Sequence, residues 1–284
     1  MFGWEFPPHI SGGLGTACYG LVQGMNHHNQ EVIFVVPKLW GDEEPLADFV
    51  NASDITIDYR ERRFKKIWKN LTYLEVNSFL VPYLGPEEFK KFTDYAMHDR
   101  TDVDESIFSN KFEFSGKYGK NLMEEVSRYA LVGAQIARDR NDFDIIHAHD
   151  WLAYPAGIAA KEISGKPLVV HVHATEYDRS GESVNKPVYD IERAGMHAAD
   201  HIVAVSQLTK NICVRKYGVP AEKVTVLHNA VLDASIIKSA YQKKVPEKIV
   251  TFLGRITFQK GPEYFVEAAK KVIERDPNVR FVMA

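Results

Sequence analysis

Seven short apolar runs, each four to six residues long, alternate along this chain with stretches of helical periodicity. The runs are Glu31–Val36, Ile145–Ala148, Leu168–Val172, His201–Val205, Val224–Leu227, Ile249–Leu253 and Arg280–Met283. Between or beside them, helices are expected over Thr16–Asn26, Asn121–Arg140, Tyr154–Ser164, Lys186–Ala198, Gln207–Lys216 and Pro262–Glu274. Continuous apolar runs suit strands buried on both faces, and helical connections suit parallel neighbours. The expected class is α/β, a parallel sheet with helices on both faces. Met1–Trp4 reads as the tail of a first strand. Leu71–Val81 supplies one more strand or a hairpin arm, with the alternating Asp54–Tyr59 as its pairing candidate. Gly85–Phe114 is polar and mixed and reads as an insertion with short helices.

Composition narrows the function classes. With 284 residues, 45% hydrophobic and 26% charged, the chain can bury a core. A net charge of −3, and no basic run longer than Arg60–Lys66, argue against a nucleic-acid footprint. No apolar stretch reaches the length of an integral membrane segment. Cys18 and Cys213 cannot form a disulfide framework and fit a reducing, cytoplasmic setting as small packing residues.

The rhythm breaks between Val231 and Lys248, a charged stretch containing Pro246. The expected division is a first domain over 1–232, a linker over 233–248, and the start of a second domain over 249–284. The sequence ends inside an apolar run, so a fragment of a longer gene product is the expectation.

Three motifs carry chemistry. Gly254-Arg255 closes a strand-like run, and Lys260-Gly261 follows; a forked guanidinium and a point charge there suit a diphosphate. The alternative is a surface loop with two solvated cations. Gly12-Gly13-Leu14-Gly15 sits between the first strand and a helix, where bare backbone and a helix N-terminus favour an anion. A plain strand-to-helix turn is its alternative. His147-Ala148-His149-Asp150-Trp151 ends one strand, and His171-Val172-His173 ends the next. Alternation puts His147 and His149 on one face. That cluster is open to a metal-dependent hydrolase reading through His147, His149, Asp150, His171 and His173, or to a reading as core histidines. The spacing of the metallo-hydrolase motif is not met, because Leu152 stands where its last His belongs.

Taken in order, the Gly-Gly loop, His-Asp-Trp, the second His, Asn229-Ala230-Val231 and Gly-Arg with Lys-Gly resemble the GT-B retaining glycosyltransferases. These are the family 4 and glycogen- or starch-synthase-like enzymes, and the resemblance runs from Gly3 to Ala284. Ile10 stands where those synthases carry Lys, which shifts the resemblance towards the broader family 4 enzymes. It implies two Rossmann-like domains, the second only begun here. It implies transfer of a hexose, glucose first, from a nucleoside diphosphate sugar to a hydroxyl acceptor such as a glucan. His173 and Asp150 would be the catalytic pair at the sugar. Arg255, Lys260, Gly12 and Gly13 would bind the donor diphosphate. No metal and no cofactor beyond the nucleotide sugar are implied, and the donor-side acidic motif is expected beyond residue 284, leaving this chain inactive alone. A non-catalytic sugar- or nucleotide-binding module remains the alternative to an enzyme. Oligomeric state is not legible.

Overall fold

The computed structural model describes residues 1–10, 12–58, 109–118, 122–230 and 245–284. The chain divides into two compact units, one of residues 1–174 and 186–230, the other of 175–185 and 231–284. The segment 175–185 thus joins the second unit. Residues 231–244, most of the expected linker, lie outside the described residues.

The first unit is built on one parallel sheet. Strands β5 (Ile146–His149), β6 (Leu168–Val172), β7 (His201–Ala204) and β8 (Val224–Val226) run side by side. Strands β1 (Ile33–Val36) and β2 (Asp48–Asn51) form a parallel pair. Met1–Gly3 joins the two groups. Phe2 bridges Val35 on one side and Ala148 on the other, both in parallel sense. Phe2 N–H donates to His147 O at 2.7 Å and Gly3 N–H to Val35 O at 3.0 Å. The strand tail expected at Met1–Trp4 therefore lies inside the sheet, between β1 and β5.

Helices cover both faces. Helix α1 (Gly13–His27) buries Cys18 and Val22 against Phe6, Phe34 and Val36. On the other face lie α2 (Leu122–Asp139) and α3 (Asp150–Ser164). Gly157 of α3 sits where a Cβ would be 2.8 Å from Leu168 and 2.9 Å from Ala148. The α2–α3 crossing is closer still: a Cβ on Gly133 would lie 2.7 Å from the Ala156 carbonyl oxygen. Tyr129 of α2 reaches through the core, its hydroxyl shared between Gly3 O at 2.9 Å and Val35 O at 2.7 Å. Phe2, Trp4 and Phe114 surround its ring edge-on, with centroids 5.8–6.1 Å away. A glycine in the left-handed region ends α3 at Gly165 (φ 71°), where a side chain would strain the backbone.

The second unit includes the short α4 (Glu176–Ser180), closed by a capping box between Thr175 and Asp178. Helices α5 (Lys186–Ala198) and α6 (Gln207–Tyr217) complete the first unit. In the second unit β9 (Lys248–Phe252) pairs in parallel with β10 (Val279–Met283). Helix α7 (Pro262–Ile273) sets Phe265 between Phe252 and Phe281, at 5.5 and 5.6 Å.

Asp54–Tyr59 contains a strand, β3 (Thr56–Asp58), which pairs antiparallel with β4 (Ser109–Lys111). Leu71–Val81 and most of the expected insertion lie outside the described residues. Strand β2 was not expected, because Asp-Phe-Val-Asn is short and has polar ends.

The close crossing yields opposite effects for one substitution at two glycines. Gly133→Ala should cost about 1–3 kcal/mol, since the obstacle is backbone that cannot rotate away. Gly20→Ala, on the open face of α1 with nothing within 4 Å, should gain about 0.5–1 kcal/mol. Urea unfolding of both variants measures the signs.

Candidate functional site

The candidate residues of the first unit gather at the carboxyl ends of its strands, where α/β folds place ligands. Asp150 is the first residue of α3, directly after β5, and its backbone is in the left-handed region (φ 58°). Asp tolerates that region better than most residues, yet such a φ still costs on the order of 1 kcal/mol. What holds it is the neighbouring strand end. Asp150 Oδ1 accepts the His173 N–H at 2.8 Å and lies 3.4 Å from the Ala174 N–H. The carboxylate therefore ties the end of β5 to the end of β6 and fixes the backbone of His173.

Behind His173 stands a stack of imidazoles. Register pairs His149 with His171 across β5 and β6, on the face covered by α1. His149 Nδ1 lies 3.1 Å from His173 Nε2. His147 and His171 are parallel within 6° with centroids 5.5 Å apart, and His171 and His173 within 15° at 4.3 Å. Burial keeps the imidazoles neutral. It pushes His173 down to about 4, and His171 to about 3 with His173 adding to the effect. His147 and His149 are held well below the ordinary value, burial first and then the neighbouring histidines.

Two groups have ligand atoms close enough for a metal: Cys18 with His149 and His173, and His147 with His149 and His171, each within 4.8 Å. His147 Nε2, His149 Nε2 and both nitrogens of His171 are buried without a hydrogen-bond partner. Imidazole lone pairs lie in the ring plane, however, and the His147–His171, His149–His171 and His171–His173 pairs meet face to face. Asp150 belongs to neither group. The arrangement favours a neutral support under His173 over the hydrolase reading. Cys18 is buried and free, as its packing role required, and burial raises its thiol pKa.

The glycine loop separates into two functions. A Cβ on Gly12 or Gly13 would meet nothing within 4 Å, so the backbone there is open. Gly15 is different: a Cβ would lie 2.3 Å from Ile10 Cγ2. Its N–H goes to Glu5 Oε1 at 3.2 Å, so a buried carboxylate occupies part of the α1 terminus. Sequence reasoning missed Glu5, which no motif marks.

In the second unit Arg255 and Lys260 flank the end of β9 on one loop, both exposed. The Lys260 stem passes over Gly254, its Cγ 3.7 Å from where a Cβ would stand. Gly261 (φ 60°) then opens α7, with Pro262 in its first turn. Two cations and a helix N-terminus on one loop form a surface suited to phosphate oxygens. A cavity of about 750 Å³ opens at the opposite edge of the first unit, beside Asn26, Gln30, Asp48, Arg140 and Ile145. None of Gly12, Gly13, Asp150 and His173 lines it.

The neutral stack has a pH signature. Folded-state values of about 3 and 4 lie below the ordinary histidine value of 6.5. The unfolded chain therefore takes up protons first as pH falls, and this stabilisation is complete above 6.5 and lost towards 4 and 3. Each such histidine should remove up to about 1.4 kcal/mol per pH unit in that window. In urea titrations between pH 7 and 4, His171→Leu should flatten the slope by about one proton.

Residues 118–233 match the model of Glycosyltransferase Family 4. An uncharacterised glycosyltransferase of Methanocaldococcus jannaschii is 25% identical, over the whole chain and 62% of that protein. The Escherichia coli UDP-Gal:alpha-D-GlcNAc-diphosphoundecaprenol alpha-1,3-galactosyltransferase is 28% identical over 58% of the chain and 44% of its own length. The chain thus spans about two-fifths to three-fifths of these relatives. Among solved structures, sucrose-phosphate synthase of Thermosynechococcus elongatus aligns with a TM-score of 0.50 and 12% identity, over 96% of this chain and 65% of that one. Among the described residues no helix is long and apolar enough to cross a membrane. Residues 118–233 thus match a glycosyltransferase family 4 domain, and the parallel sheet with helices on both faces is a fold of the GT-B type.

Proposed function

We propose that the whole protein is a retaining glycosyltransferase that moves a hexose, glucose first, from a nucleoside diphosphate sugar to a hydroxyl acceptor such as a glucan. The observation that carries this reading is the Asp150–His173 tie, which fixes a neutral imidazole at the strand ends of a family 4 domain. Breaking the donor's glycosidic bond sends charge onto the diphosphate. Arg255 and Lys260 are assigned to that charge, with the open backbone of Gly12 and Gly13 as a second phosphate contact. His173 is assigned to a hydroxyl of the transferred sugar, which a neutral imidazole can meet as donor or acceptor. Asp150 becomes a positioning residue whose carboxylate aligns His173. Alignment of this kind supplies much of the rate in a reaction between two bound partners. The chain's own groups suffice for these roles, and no metal is invoked. The proposed setting is cytoplasmic.

The test is nucleoside diphosphate release by the full-length protein. UDP-, ADP- and GDP-glucose are each offered with and without a malto-oligosaccharide, and proton NMR reads the anomeric configuration of the product. Acceptor-dependent release with retention is expected. His173→Ala should lower kcat/KM by roughly a hundredfold. Asp150→Ala should lower kcat more than it raises the donor KM, and Asp150→Asn should recover part of the loss, because its amide oxygen can still accept the His173 N–H. Sugar binding without release from any donor would replace this reading with a carbohydrate-binding module.

A further inference from the structure

An exposed aromatic stands in a fixed turn just beyond the carboxyl end of β1. Trp40 leaves 48% of its surface in solvent, an unusual exposure for the largest side chain. The turn around it is tied at several points. Glu43 Oε1 accepts the Trp40 N–H at 2.8 Å, and Oε2 accepts the Gly41 N–H at 2.9 Å. Gly41 has φ 89°, which a side chain would strain. Leu39 N–H donates to Asn51 Oδ1 at 3.3 Å, linking the turn to the end of β2. His9 stacks on the indole with centroids 4.7 Å apart, and its Nε2 lies 2.8 and 3.1 Å from the two Asp42 oxygens. Lys38 Nζ stands 4.4 Å from the indole centroid.

This combination points to a sugar. A patch made for another protein would surround the aromatic with further apolar side chains. Here the neighbours are His9, Asp42, Lys38 and Glu43. A pyranose ring presents an apolar C–H face for the indole and a rim of hydroxyls for carboxylate and imidazole. Small-molecule sites have this division, with one apolar surface and a few placed polar groups. The fixed turn lowers the ordering cost of binding. The location also fits. His9 lies three residues before Gly12, and Ile10 sits against Gly15, so the platform adjoins the α1 N-terminus at the strand-end edge that holds Asp150 and His173.

We propose that Trp40, with His9 and Asp42, forms a subsite that stacks a pyranose ring of the carbohydrate acceptor. The proposal rests on the transferase reading and adds to it where the acceptor lies and which side chain selects it. Acceptor and donor KM are measured for Trp40→Ala and Trp40→Phe in the full-length protein, with malto-oligosaccharides as acceptors. Trp40→Ala should raise the acceptor KM roughly tenfold, equal to about 1.4 kcal/mol, and leave the donor KM in place. Trp40→Phe should recover most of the affinity, which a merely structural role would not require. A turnover-free measurement accompanies it: saturation-transfer NMR of maltotetraose with the 284-residue chain. Transfer to the pyranose C–H protons, lost in Trp40→Ala and kept in Trp40→Phe, supports the subsite. Equal transfer in Trp40→Ala, or none with the unsubstituted chain, overturns it. Nucleotide release with an unchanged acceptor KM in Trp40→Ala removes the subsite and leaves the transferase standing. No release from any donor removes the transferase reading itself.

Discussion

The first unit depends on three residues at the start of the chain. Met1–Gly3 fills the slot between β1 and β5, hydrogen-bonding on both sides. Without that segment the β1–β2 pair and the β5–β8 group would each face an unpaired edge in the interior, and buried backbone groups must find partners. Tyr129 reinforces the seam from above, its hydroxyl reaching Gly3 O and Val35 O. Because all these strands run parallel, their carboxyl ends emerge on one edge. The glycine loop, the Trp40 turn, Asp150 and His173 share that edge for this reason.

The site then rests on a second tie. Asp150 adopts a left-handed backbone that most residues avoid, and the contact with the His173 amide offsets its cost. The resemblance assigns Asp150 to sugar or acceptor hydroxyls, and in the fold its Oδ1 accepts the His173 N–H. The imidazole stack behind His173 is a related compromise. Burying unpartnered nitrogens costs free energy, but neutral stacked rings give His173 a support that does not titrate near neutral pH.

Much of the fold was legible in the sequence because parallel strands buried on both faces leave continuous apolar runs. Leu168–Val172 and Lys186–Ala198 match their elements residue for residue. The misses have equally local causes. Strand β2 owes its pairing to β1 rather than to its own four residues, and β3 found its partner far away at Ser109–Lys111. Helix α4 spans five residues, too few for any apolar periodicity, and only its capping box marks it. Within the site, the glycine motif was visible, but its internal division was not. Whether a glycine admits a ligand or a neighbour depends on what faces it, and Ile10 faces Gly15 while nothing faces Gly12 or Gly13.

By itself, the sequence determined most element types, the strand-end position of the histidines and the order of the glycine, histidine and cation motifs, since each follows from local pattern and spacing. Tertiary structure alone decided that Met1–Gly3 lies inside the sheet between β1 and β5 and that Asp150 accepts the His173 amide. It also decided that four histidines lie side by side behind the strand ends and that Trp40 stands beside His9 and Asp42. These are contacts between residues distant in the chain, and their partners are chosen by register and packing, which no single segment encodes.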